Sequence, residues 1–213
     1  MNHPTRAQQT FLAMMALLGW FALILQFYLI LKNRVVSVPE TILRYFSFFT
    51  LLTNILVATF STIVLLKPLS RWGKYFSGPD AGTAIAVYIS MVGIVYNVIL
   101  RNLWNPKGLE RVADELLHLV IPVLFVAYWA ILAPKAGLKI KKIFAWLLYP
   151  LLYFLWVLIF GKLSGFYPYF FINVTELGYS TVFFHVVVIS FGFLLLSFIF
   201  VMVGRLISLK RND

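Results

Sequence analysis

The chain contains no cysteine. That excludes disulfides, thiolate nucleophiles and cysteine metal sites. Charge is scarce as well: 12% of the residues are charged, where a soluble domain has about a quarter. Seven residues are acidic and eighteen basic. No G-x-S-x-G occurs, which counts against a serine hydrolase of the nucleophile-elbow kind. H-E-x-x-H, Walker and dinucleotide motifs are absent too. There is no internal repeat, which disfavours an inverted-repeat transporter, and no low-complexity segment.

What fills the 213 residues is apolar: 62% are hydrophobic and the mean hydropathy is +0.93. This composition predicts an all-α, polytopic membrane protein. The net charge of +11 does not indicate nucleic acid. The basic residues lie between apolar runs rather than on one polar face, as topology control and attraction to anionic lipid require.

Six runs are long enough to span: Phe11–Leu31, Thr41–Leu66, Gly82–Leu100, Leu116–Ala133, Ile143–Phe160 and Tyr179–Val203. The loops between them are short, so residues 1–213 are expected to form one six-helix transmembrane domain. The first run is too long for a signal-peptide core, and its retention is expected.

Lysine and arginine set the orientation. With six spans both termini share a side. That side holds Arg6, Lys67, Arg71, Lys74, Lys135, Lys139, Lys141, Lys142, Arg205, Lys210 and Arg211. The other holds Lys32, Arg34, Arg44, Arg101, Lys107, Arg111 and Lys162. The excess places both termini in the cytoplasm. Trp72, Tyr75, Trp146 and Tyr149 fit an inner aromatic belt, and Trp104, Tyr167 and Tyr169 an outer one.

Two prolines fall inside spans, Pro122 and Pro150. Each lacks an N–H and so frees a carbonyl about four residues upstream. For Pro122 that carbonyl belongs to His118.

His118 itself is a titratable group inside an apolar run, and such groups usually mark function. Asp114 and Glu115 precede it by one helical turn. Other polar residues fall at a similar depth on the outer side: Thr50, about nine residues or roughly 14 Å into its run, His185, Gln26 and Asn97. Ser47, Thr50 and Asn54 share one helical stripe, as do Ser90, Asn97 and Arg101, with Gly93 among them. Asp114 pairs with His118, and Thr181 with His185, at i, i+4. Unpaired polar groups facing lipid are costly, so these should converge into an outward-opening chamber.

Each residue also has a plain structural role open to it. Thr50 can bond the carbonyl four residues back. Asn54, Asn97 and His185 can bridge helices. His118 can pair with Asp114 or Glu115, and Arg101 can serve as their counter-ion. Convergence at one depth is what raises a chemical reading. A hydroxyl beside an imidazole is the minimum for acyl transfer. Asp114 or Glu115 would orient the base, and Asn54 or Asn97 would donate to an oxyanion. The competing reading is a metal site on His118, His185 and Glu115. Its ligands form no compact motif, so no metal or other cofactor is expected.

The segment Arg44-Tyr45-Phe46-Ser47-Phe48-Phe49-Thr50-Leu51-Leu52-Thr53-Asn54 resembles the F-F-T-x-x-[ST]-N stretch of a bacterial six-span membrane family. Tyr167-Pro168-Tyr169-Phe170-Phe171-Ile172-Asn173 resembles its YPYPF segment, with Phe170 in place of the second proline. That family looks related to the androgen-induced, FAR-17a-like membrane hydrolases. The resemblance implies hydrolysis of fatty-acid esters of hydroxy fatty acids, with Thr50 as nucleophile and His118 as base or acid. Ser47 and Thr53 are the neighbouring alternatives to Thr50.

The expectation is an intramembrane lipid-ester hydrolase of a bacterial cytoplasmic membrane. Thr50 and His118 face each other. Ser47, Asn54, Asn97, Arg101, Asp114, Glu115 and His185 support them or bind substrate. Its partner is a membrane lipid or fatty-acyl ester, not nucleic acid. The alternatives are a small transporter or channel, or a lipid-binding sensor without turnover. Polar residues fade below Asn54 and Ser90, where a transport path needs them across both leaflets.

Overall fold

The computed structural model describes residues 4–210; Arg211, one of the basic residues in the charge count, lies outside them. No strand occurs among the described residues. Six helices are long and apolar enough to cross a membrane: α1 (Arg6–Lys32), α3 (Phe49–Leu66), α5 (Pro79–Leu103), α6 (Leu109–Ile131), α7 (Lys142–Ser164) and α8 (Val174–Leu209). Two short helices join them, α2 (Val38–Tyr45) and α4 (Arg71–Phe76). The chain is an integral multi-pass membrane protein with an all-helical, six-span fold.

Specific bonds align the bundle ends. Thr5 and Gln8 form a capping box at the start of α1. Gln8 also reaches across, donating to the Leu132 carbonyl at 3.0 Å. At the other end Asn33 donates to Glu110 at 2.9 Å. Both ends of α1 are thus tied to an antiparallel α6. Arg205 donates to the Leu138 carbonyl at 3.0 Å, which keeps the end of α8 beside the α6–α7 connection. One bundle end therefore holds the described termini with segments 67–78 and 132–141. The other, here the site end, holds segments 33–48, 104–108 and 165–173.

In lipid the hydrophobic effect does not draw helices together, so close backbone approach matters more. Gly19 provides it: a Cβ there would stand 3.1 Å from the Cβ of Ala58. Leu12, Met15, Val57, Ile89 and Phe125 fill the sealed interior. Leu17, Ile24, Phe183 and Phe191 project outward, where acyl chains would meet them. Near its start α8 kinks at Gly178, whose φ of 75° is a conformation that glycine adopts without steric cost.

The second span departs from the sequence expectation. Thr41–Leu66 is not one helix; α2 stops at Tyr45 and α3 begins at Phe49, with Phe48 extended between them. Neither proline nor glycine marks the break. Side chains and tertiary partners take over the backbone groups instead. The Ser47 hydroxyl donates to the Leu43 carbonyl at 2.8 Å, a local competitor of helix bonding. The Tyr153 hydroxyl donates to the Ser47 carbonyl at 3.0 Å. The Thr50 N–H points at the Tyr169 oxygen at 3.5 Å. Thr50 is consequently the second residue of α3, not a residue deep within a continuous helix. It lies at the positive end of an 18-residue helix dipole.

Candidate functional site

The site begins with two irregular helical turns that face each other. In α5 residues Tyr96–Leu100 form a π turn, and in α6 residues Leu116–Val120 form another. Such turns insert one extra residue, rotate the side chains that follow and often occur at functional sites. In α6 the extra residue sends the Ile121 N–H back to Leu116. The Leu117 carbonyl thereby loses its helical donor. The next carbonyl, that of His118, has Pro122 four residues on and no donor either.

Two asparagines from neighbouring spans take these carbonyls. Asn54 of α3 donates to Leu117 at 3.1 Å and to Thr50 at 2.8 Å. Asn97 of α5 donates to His118 at 3.1 Å and to Gly93 at 2.8 Å. Gly93 permits the approach: a Cβ there would lie 3.4 Å from the Cβ of Pro122. Each amide has two hydrogens and both are engaged, so neither asparagine has a hydrogen left for an oxyanion. Asn97 is oriented in turn by Arg101, whose Nε donates to Asn97 Oδ1 at 2.8 Å. Arg101 grips Glu115 with two further bonds of 2.8 Å. That ion pair is partly exposed and contributes little stability by itself. Its effect is to fix the rotamer of Asn97.

His118 is held on three sides. Its Nδ1 lies 2.9 Å from the Asp114 carbonyl and 3.2 Å from Asp114 Oδ1. Both are acceptors, so Nδ1 carries a proton, and in the neutral ring Nε2 is the basic nitrogen. The Tyr96 ring stacks on the imidazole at 3.7 Å and 16°. The Tyr96 hydroxyl donates to Asp114 Oδ2 at 2.5 Å and accepts from Trp104 Nε1 at 3.3 Å. Asp114 is 5% exposed, and these bonds satisfy both of its oxygens.

His118 lines a cavity of about 400 Å³ at the site end. Thr50, Asp114, His118, Tyr96, Tyr169 and Gln26 line it, with Trp104 and Leu117. Thr50 and His118 therefore share one chamber, but no hydrogen bond joins them among the described residues. The Thr50 hydroxyl lies 3.5 Å from the Tyr169 hydroxyl instead. A second, apolar cavity adjoins at Thr50, Tyr96, Leu100 and Tyr169 and runs between α5, α7 and α8 past Val92, Phe154 and Ile189.

The remaining sequence candidates lie elsewhere. Ser47 is buried at the α2–α3 break and bonded to its own segment. Thr53 pairs with Tyr149 at 3.2 Å. Tyr149 thus turns inward instead of joining an inner belt. Thr181 is exposed. His185 does not line the chamber; its Nδ1 donates to the Phe171 carbonyl at 2.7 Å and pins the turn after Tyr169. Glu115 is engaged by Arg101. His118, His185 and Glu115 do not meet, and no three His, Asp or Glu side chains gather as a metal site among the described residues.

Two site residues escape a search for polar groups in apolar runs. Tyr96 and Tyr169 read as ordinary aromatics, and Tyr169 as an outer-belt residue. For Tyr96 the available signal is its place beside Asn97 on a helix with Arg101. Burial pushes the Tyr169 phenol above its ordinary pKa, so it stays protonated and able to donate.

Fold and chamber together define a polytopic helical membrane protein with an oriented imidazole and a hydroxyl in one buried site. Comparison of the chain with models of protein families, with curated proteins and with solved structures finds no match.

Proposed function

We propose that the protein is an intramembrane hydrolase of lipid-like esters, with Thr50 as nucleophile and His118 as general base. One observation carries the reading: the Thr50 hydroxyl and a His118 imidazole with a committed tautomer line the same cavity. An oriented base near a hydroxyl, itself held by a carboxylate, is the arrangement acyl transfer requires. The segments Phe48–Asn54 and Tyr167–Asn173, which carry the family resemblance, both border this cavity. Fatty-acid esters of hydroxy fatty acids are the substrate class that resemblance implies.

No hydrogen bond joins the two groups among the described residues, so an ester in the chamber has to sit with its carbonyl carbon against the Thr50 hydroxyl and its alkoxy oxygen toward His118. Proton transfer from Thr50 to Nε2 then runs directly or through one water, as catalytic bonds often tighten only with substrate bound. The apolar cavity beside Thr50 is only about 50 Å³ and has to widen between α5, α7 and α8 to take an acyl chain, whereas the larger polar chamber suits the ester and its alcohol. By the excess of basic residues at the terminal end, the chamber opens to the outer face of a bacterial cytoplasmic membrane.

The test is turnover of 4-nitrophenyl octanoate and of a hydroxy-fatty-acid ester by purified protein. Thr50→Ala, His118→Ala and the double variant should each lose nearly all activity, because nucleophile and base act as a unit. Activity that survives His118→Ala overturns the mechanism. Activity that survives Thr50→Ala but dies with Ser47→Ala or Thr53→Ala moves the nucleophile.

A further inference from the structure

We infer that Tyr169 is a catalytic residue of this site, donating its phenolic hydrogen to the oxyanion that forms when Thr50 attacks an ester carbonyl. The inference rests on the hydrolase reading above.

Acyl transfer puts negative charge on the former carbonyl oxygen, and a donor must meet it there. The polar groups around Thr50 leave little choice. The amides of Asn54 and Asn97 are fully engaged by backbone carbonyls. Arg101 is directed to Glu115 and Asn97. The Trp104 N–H goes to Tyr96, the Tyr96 hydroxyl to Asp114 and the Tyr153 hydroxyl to Ser47. The Leu51 and Leu52 N–H groups return to Phe48. Gln26 lines the chamber but bonds neither Thr50 nor His118 among the described residues.

Tyr169 is the donor placed beside the nucleophile. Its oxygen lies 3.5 Å from Thr50 Oγ1 and 3.5 Å from the Thr50 nitrogen. An oxyanion on the carbon newly bonded to Oγ1 falls within hydrogen-bond reach of a phenol so placed. The phenol oxygen accepts the Thr50 N–H, and the phenol and Thr50 hydroxyls share one hydrogen-bond contact at rest; once Oγ1 bonds carbon, the phenol hydrogen is the one that turns to the oxyanion. The group is also fixed in advance. The Tyr169 ring is parallel to that of Phe171 at 5.3 Å and meets Phe48 edge-on at 6.1 Å. His185 anchors the Phe171 carbonyl.

The step balances without any co-reactant beyond water. Thr50 Oγ bonds the carbonyl carbon and its proton passes to His118 Nε2. The carbonyl π pair moves to oxygen, which accepts from Tyr169. Collapse breaks the ester C–O bond, and the leaving alcohol takes the proton from His118. Water then repeats the cycle on the acyl-threonine and releases the acid.

The experiment compares 4-nitrophenyl octanoate with its thiono analogue, whose sulfur accepts hydrogen bonds poorly. In Tyr169→Phe, kcat on the oxygen ester should fall by about 10²–10³, as for loss of one oxyanion donor. KM should stay within about twofold, because the bond belongs to the transition state. The preference for the oxygen ester over the thiono ester should collapse in the variant. Full kcat in Tyr169→Phe overturns the inference. So does a loss of kcat with the oxygen-to-sulfur preference unchanged, which is what mere loosening of the α3 start would give. Wild-type protein inert toward the oxygen ester overturns the hydrolase reading and this inference with it; undiminished activity in Thr50→Ala removes Thr50 as nucleophile and with it this inference. A dead Thr50→Ala beside a fully active Tyr169→Phe overturns the role of Tyr169 alone.

Discussion

Asn97 occupies the position that Pro122 leaves empty: its Nδ2 donates to the His118 carbonyl at 3.1 Å, the one helical acceptor that a proline at 122 cannot serve. The two residues should therefore be coupled. Asn97→Ala leaves a carbonyl without a donor in the membrane interior and should destabilise the protein by about 1–3 kcal/mol. Pro122→Ala returns an N–H four residues after His118, so adding it to Asn97→Ala should recover much of the loss. Thermal melts in detergent of the two single variants and the double variant form the cycle. Strictly additive losses would show that the asparagine does not compensate for the proline.

Asp114 holds His118 at Nδ1 and receives the Tyr96 hydroxyl. Asp114→Asn keeps the size but removes the charge that stabilises an imidazolium. Ester turnover should fall by at least about tenfold, within the 10²–10⁴ that a positioned base typically supplies. Melting temperature should change much less than turnover. Equal activity in the variant would mean that the backbone carbonyl alone orients the imidazole.

His185 bonds a loop carbonyl rather than the chamber. His185→Ala should accordingly raise hydrogen exchange across residues 167–173 and weaken ester turnover only partly. Elemental analysis of the wild-type protein gives the contrasting outcome. Stoichiometric zinc or iron that disappears in His185→Ala would favour the metal reading and make Thr50 an accessory residue.

How far the sequence reaches can be judged from particular residues. The six spans follow from run length alone, because any lipid-crossing segment must be helical and apolar. The freed His118 carbonyl follows from Pro122, since the loss of an N–H is a covalent fact. The break at 46–48 does not follow. Its backbone groups are satisfied by Tyr153 and Tyr169, far away in the chain. The extra residue in the π turn of α6 is likewise a tertiary outcome, stabilised by amides from α3 and α5. Asn54 and Asn97 were visible as polar residues at the right depth. Their partners were not, because pairing depends on helix rotation that a one-residue insertion changes.

The lack of cysteine makes orientation directly measurable. Single cysteines replacing Lys107 and Lys139 sit on exposed connections at opposite bundle ends. A membrane-impermeant maleimide should label position 107 in intact cells and position 139 only after permeabilisation. The reverse pattern would turn the chamber toward the cytoplasm and defeat the charge-based assignment.

The helix that carries Thr50 starts at a gap closed by residues about a hundred positions later, Tyr153 and Tyr169. During synthesis that gap therefore stays open while α3, α5 and α6 are already made. A nascent chain ending before α7 holds both Thr50 and His118, but nothing yet covers the exposed amide at the start of α3. Completion of the fifth span, the loop after it and the part of α8 whose His185 pins that loop is thus the step that finishes the chamber. The last wall of the chamber arrives late in biogenesis, after both Thr50 and His118 are already in the membrane.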